Sequence, residues 1–116
     1  MDALTFHFEV EEGFDAEALA ATVAERLSKV EGVEQSEAEV EDERLGVAEA
    51  VAVIVGFVLL AKAAREGVEA LTKFVTSLRK MMEEVKGLRG AVLDLAGKKV
   101  SLDEPDKVIS ALQSAG

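Results

Sequence analysis

His7 is the only imidazole in a 116-residue chain that has no cysteine, tryptophan or tyrosine. Imidazole proton transfer or metal ligation therefore has one candidate residue, and thiolate chemistry has none. A lone histidine between Phe6 and Phe8, with no cysteine to activate, ordinarily plays a structural or solvent-facing part. Ser28, Ser36, Ser77, Ser101, Ser110 and Ser114 fall in no Gly-x-Ser-x-Gly nucleophile elbow. The stretch Gly87-Leu-Arg-Gly90 lacks the Gly-Lys-Ser/Thr ending of a phosphate-cradling loop. Paired carboxylates abound, but glutamates crowded on one exposed segment make a solvated surface rather than a matched acid and base. The residues thus predict a protein that is not an enzyme, with no cofactor and no catalytic or metal-binding residues.

The same carboxylates can do other work. Acidic groups number 23 against 13 basic ones, a net charge of −10. Residues 1–49 hold 15 of the acids and only Arg26, Lys29 and Arg44 as cations, a net of −12, whereas residues 50–116 come to +2. The densest stretch runs from Glu31 to Glu43. One reading is a solvated face that keeps the chain soluble. A second is a docking surface for a basic partner. A divalent-ion site is the weakest, since the spacing lacks the alternating ligands and central glycine of a calcium loop. Nucleic acid is an unsuitable partner, because its phosphates would be repelled and no aromatic platform offers stacking.

Those residues need elements to hold them. Leu4, Phe6, Phe8 and Val10 alternate with Thr5, His7 and Glu9, which predicts a strand with one buried face. Asp15 stands where a helix N-cap belongs, after apolar Phe14 as a possible staple. Ala18, Leu19, Val23, Leu27 and Val30 follow at helical spacing, and Gly32 is placed to stop the helix. From Val33 the chain alternates again through Glu37-Ala-Glu-Val-Glu41. The result is a second strand, with Ala38 and Val40 inward and Glu37, Glu39 and Glu41 outward, charged enough to sit at a sheet edge.

The middle of the chain is apolar in a different way. The run Ala50–Ala61 carries no charge, and a seam steps by three and four through Val47, Ala50, Ile54, Phe57, Ala61, Ala64, Val68, Leu71, Val75, Leu78, Met82 and Val85. Such a seam is what helix pairs use. The expectation is a helical insert over residues 46–87, apolar all round at 50–61 and one-sided beyond. It either folds back near Gly67 as a hairpin or runs on as a rod used for oligomerisation, with Phe74, Met81 and Met82 serving core or interface. A twelve-residue run is too short to span a membrane, which needs about 20 apolar residues. Membrane contact by helix 50–61 is therefore the lesser alternative.

Ala91–Leu95 and Val100–Leu102 read as a hairpin in which Gly97 supplies a positive φ. Asp103 then caps a last helix with Pro105 in its first turn and Val108, Ile109 and Leu112 on its apolar face. The order β-α-β, helical insert, β-β-α makes one α+β domain over residues 1–116. Its architecture is a small antiparallel or mixed sheet covered by helices, a ferredoxin-like sandwich. The opening residues carry no basic signal-peptide region, so a cytoplasmic protein is expected.

A family resemblance adds to this. Arg89-Gly-Ala-Val-Leu-Asp-Leu-Ala-Gly-Lys-Lys-Val-Ser-Leu-Asp-Glu104, followed by Val108-Ile-Ser-Ala-Leu112, resembles the closing strand, turn, strand and helix of the bacterial effector-associated constant component family. Phe8-Glu-Val-Glu-Glu-Gly13 is similar to that family's opening strand and acidic-glycine turn. Leu45-Gly-Val-Ala-Glu-Ala-Val-Ala-Val-Ile-Val55 is similar to its small-residue and aliphatic helical tract. The sequence departs from the pattern where many members carry a tryptophan before an arginine cluster, since Phe74 and the sparser Arg79-Lys80 stand there. The resemblance implies a non-enzymatic adaptor in bacterial conflict or antiphage systems. Its implied partners are a peptidase-type effector or a nucleotide-dependent regulator, and no catalytic residue is carried over. With it, Glu37, Glu39, Glu41, Phe57, Phe74 and Met81 are the candidate partner-binding residues, the partner being another protein or a second copy.

Overall fold

A computed structural model describes residues 3–41 and 52–115. The elements run β1 (Leu4–Val10), α1 (Ala16–Leu27), β2 (Val33–Glu41), β3 (Val53–Leu60), α2 (Lys62–Arg65), α3 (Val68–Glu84), β4 (Leu88–Leu95), β5 (Lys98–Ser101) and α4 (Pro105–Ala115). The five strands form one antiparallel sheet in the order β2-β3-β1-β4-β5. The first strand therefore lies at the centre, between two strands that come much later. Through β4 this is the β-α-β-β-α-β arrangement of a ferredoxin-like sandwich, to which β5 and α4 add an edge strand and a helix.

Local chemistry sets most of these boundaries. The Asp15 carboxylate accepts the N–H groups of Glu17 at 3.0 Å and Ala18 at 3.3 Å, capping α1 as its spacing predicts. The β4–β5 turn places Ala96 at φ 53° and Gly97 at φ 88°, both left-handed, as a two-residue hairpin requires. Asp94 Oδ1 accepts the Gly97 N–H at 3.1 Å and steadies that turn. At the last helix the residue before Pro105 is Glu104, whose carbonyl accepts the N–H of Lys107 and Val108. Asp103, expected there as the cap, instead donates its own N–H to Ser101 Oγ at 3.0 Å.

The long helical insert is corrected. Residues 53–60 form β3, which pairs with β1 on one side and β2 on the other. Among the described residues of that tract, helix begins at Lys62 and is interrupted at Gly67, which holds an extended conformation (φ −153°, ψ 152°) before α3. The break expected at Gly67 exists, but it separates α2 from α3 rather than two arms of a hairpin. The physical reason lies in side-chain shape. Val53, Ile54, Val55 and Val58 are β-branched, and such residues fit a pleated surface better than a helix turn. A short apolar run has no polar face to reveal its period, so its three-four spacing also fits a strand. The seam then loses its meaning as a helix pair: Ile54 and Phe57 lie on opposite faces of β3, and Val68 is 53% exposed. Val47 and Ala50 of that seam, with Asp42, Glu43 and most of the tract Leu45–Val55, lie outside the described residues.

The core is a single layer between one face of the sheet and the helices. Leu4, Phe6, Phe8, Ile54, Val58 and Leu93 from the strands meet Val23 and Leu27 of α1, Leu71, Phe74 and Leu78 of α3, and Val108 and Leu112 of α4. Phe6 and Phe74 cross at 6.3 Å between ring centroids, a tilted aromatic pair. Gly56 opens the space for this packing, since a Cβ there would stand 3.0 Å from Phe8 and 3.1 Å from Leu27. Among the described residues, no helix is long and apolar enough to cross a membrane. Of the apolar helix expected over 50–61, on which a membrane role depended, residues 53–60 are a strand in the middle of the sheet.

Candidate functional site

All the buried strand residues point toward the helices, so the sheet has a second face with no described helix over it. The register defines what stands there. Glu37, Phe57, Thr5, Asp94 and Lys99 form one row across the five strands. Glu39, Val55, His7, Val92 and Ser101 form the next, followed by Glu41, Val53, Glu9 and Gly90. Along β3 the outward residues Val53, Val55, Phe57 and Leu59 are all apolar and half-buried. Their inward neighbours Ile54, Gly56, Val58 and Leu60 are buried. A strand that is apolar on both faces, in a sheet covered on one, leaves an apolar stripe open to contact.

Polar groups border the stripe on both sides. Glu37, Glu39 and Glu41 of β2 are exposed and stand directly opposite Phe57, Val55 and Val53. On the β1 side His7 occupies the middle row. Its Nδ1 lies 3.9 Å from Glu41 Oε1 and its Nε2 3.7 Å from Asp94 Oδ2, so an imidazolium here would sit between two carboxylates. The Glu41 side chain reaches that position over β3. A shallow depression of about 550 Å³ opens at the far end of the stripe, lined by Ala3, Gln35, Glu37, Phe57 and Leu59 among others.

Four of the six residues singled out from sequence therefore come together here: Glu37, Glu39, Glu41 and Phe57. The other two do not. Phe74 is fully buried under the sheet and Met81 is 4% exposed, so both are used up in the core and neither can touch a partner. Both lie on the face of α3 that packs inward, with Leu71, Val75 and Leu78. Val53, Val55, Leu59 and Val92 belong to the open face and were missed. For the three on β3 the signal is the β-branched content of the 53–60 run, which marks a strand with two apolar faces.

Two further places hold chemistry-bearing groups. A cleft of about 510 Å³ lies where α3 turns into β4, beside exposed Phe14. Arg79, Lys86 and Arg89 line it together with Glu11, Glu83 and Asp103, so its charges balance and favour no ligand sign. Ser77 and Lys80 stand three residues apart on α3, a Ser-x-x-Lys spacing, beside the Arg26–Glu84 ion pair that ties α1 to α3. The Ser77 hydroxyl accepts the Glu31 N–H at 3.1 Å, and Lys80 is exposed, so nothing desolvates the amine into a base. Among the described residues, no three His, Asp or Glu side chains converge to hold a metal ion. Comparison with family models, with curated proteins and with solved structures finds no match to this chain.

Proposed function

We propose that this protein is a non-enzymatic, cytoplasmic protein–protein interaction adaptor whose docking surface is the open face of the sheet. The observation that carries the reading is the stripe Val53, Val55, Phe57 and Leu59, left uncovered by the described helices and edged by Glu37, Glu39 and Glu41. Half-buried apolar groups in a row provide area for apolar burial, at about 25 cal/mol per Å² removed from water. The flanking carboxylates select among partners and steer their approach. The sequence resemblance to effector-associated constant components supports a setting in a bacterial conflict system, beside a peptidase-type effector or a nucleotide-dependent regulator. Self-association of the chain through this face is a competing occupancy that the same experiment reads.

The test is co-purification with the products of neighbouring genes, using the wild-type chain and Phe57→Glu. Phe57 points away from the core, so the variant is expected to keep its circular dichroism spectrum and lose its partner. Undiminished capture by folded Phe57→Glu would overturn the docking face. Light scattering of the wild type alone distinguishes a self-paired chain from a free one.

A further inference from the structure

We infer that the partner element taken by the open face is an amphipathic helix carrying a row of Lys or Arg along one flank, a conclusion that rests on the docking reading above. Dimensions come first. Val53 to Leu59 spans six residue steps of extended chain, about 20 Å. A helix of about 13 residues has the same length, and a helix is what ordinarily covers a sheet face in layered domains.

Charge then sets its orientation. The β2 positions 37, 39 and 41 run parallel to the stripe one strand away, with Glu37 and Glu39 on that edge and Glu41 leaning over the stripe toward His7, and alternate strand residues repeat at about 6.7 Å. Helix positions i, i+4 and i+8 repeat at about 6 Å, near enough for flexible Lys or Arg side chains to meet each carboxylate in turn. The other flank is different: opposite the same three residues of β3 stand Thr5, His7 and Glu9, and the Glu41 and Asp94 carboxylates that lie there both face His7, which leaves Glu9 against the exposed pair Glu37 and Glu39 on the β2 side. A helix with one basic edge therefore has a preferred side.

A second copy of this chain fits less well. At its paired positions the open face holds Glu9, Glu37, Glu39, Glu41 and Asp94 against Lys99 as the single cation. Packing two such faces together would oppose like charges around the apolar centre, which is costly once they are desolvated.

Two synthetic helical peptides of roughly 16 residues, identical on an aliphatic face and differing only in a flank row of Lys or of Glu at i, i+4 and i+8, test the inference. Each is titrated into the full chain, with binding followed by fluorescence anisotropy and mapped by amide chemical shifts. The Lys peptide is expected to bind about tenfold tighter or better, and the gap to shrink in about 0.5 M salt. Shifts should concentrate on residues 35–41 and 53–59. The triple variant Glu37→Lys, Glu39→Lys, Glu41→Lys should reverse the preference. Equal binding of both peptides on the open face would overturn the basic helix while leaving the docking face intact. Shifts confined to the cleft beside Phe14, no binding of either peptide to the folded chain, or an unreversed preference in the triple variant would also overturn it. Phe57→Glu retaining its partner, as above, is the separate outcome that removes the docking face itself.

Discussion

The two faces of β3 are made of nearly the same residues and do opposite things. Inward, Ile54, Gly56, Val58 and Leu60 are buried beneath the helices; outward, Val53, Val55, Phe57 and Leu59 are half-buried, with only neighbouring strands around them among the described residues. Composition cannot distinguish the two sets. What separates them is what the rest of the chain lays on each face: the apolar sides of α1, α3 and α4 on one, and glutamates on the other. An apolar strand residue is thus core or contact surface according to its parity in the strand, and the parity is set by pairing with Leu4, Phe6 and Phe8 of β1.

The largest expected effect tests that difference directly. Phe74→Ala, under the covered face, should cost about 3–5 kcal/mol of unfolding free energy, whereas Phe57→Ala on the open face should cost about 1 kcal/mol or less. Urea denaturation of the two variants checks this, and similar losses would mean the open face is as structural as the core. Next in size is Gly56→Val, which pushes a branched side chain toward Phe8 and Leu27 and should cost about 1–3 kcal/mol. Val55→Ile, one residue away on the other face, should leave the urea midpoint nearly unchanged. The smallest effect belongs to the Arg26–Glu84 pair. Its side chains are 33% and 48% exposed, so a double-mutant cycle by thermal unfolding should give a coupling under about 1 kcal/mol. A larger coupling would show that polar links, and not the core alone, hold the helices to the sheet.

How much of this is legible in the sequence depends on whether a segment shows its period. β1 alternates Phe6 and Phe8 with His7 and Glu9, α1 carries Asp15 at its cap, and β2 alternates glutamate with Ala38 and Val40. Each shows a polar side, and each is read correctly in place. The run 53–60 shows none, since both its faces are apolar, and the three-four seam through Ile54 and Phe57 mimics a helix where the chain forms a strand. The site was half legible for the same reason. Glu37, Glu39 and Glu41 announce an outward face, but no spacing rule says that Phe57 stands opposite Glu37, because that depends on the pairing of β2 with β3. Phe74 and Met81 were misassigned because a seam residue looks the same from sequence whether its neighbour is a sheet or a second molecule.

The central position of β1 also bears on how the chain is made. Synthesis delivers Leu4, Phe6 and Phe8 early, yet both strands that pair with β1 arrive late, β3 ending at Leu60 and β4 at Leu95. Until then three large apolar side chains have α1 to lean on and no ladder to join. Pairings of such sequence separation slow folding relative to local contacts, and unpaired apolar strands are open to wrong partners in the interval. The acidic β2, emerging just behind them, places like charges beside that vulnerable segment on every nascent copy. Like charges on an edge strand disfavour its pairing with the same strand of another copy, so the glutamates that border the finished face also work against edge-to-edge contact before the sheet closes.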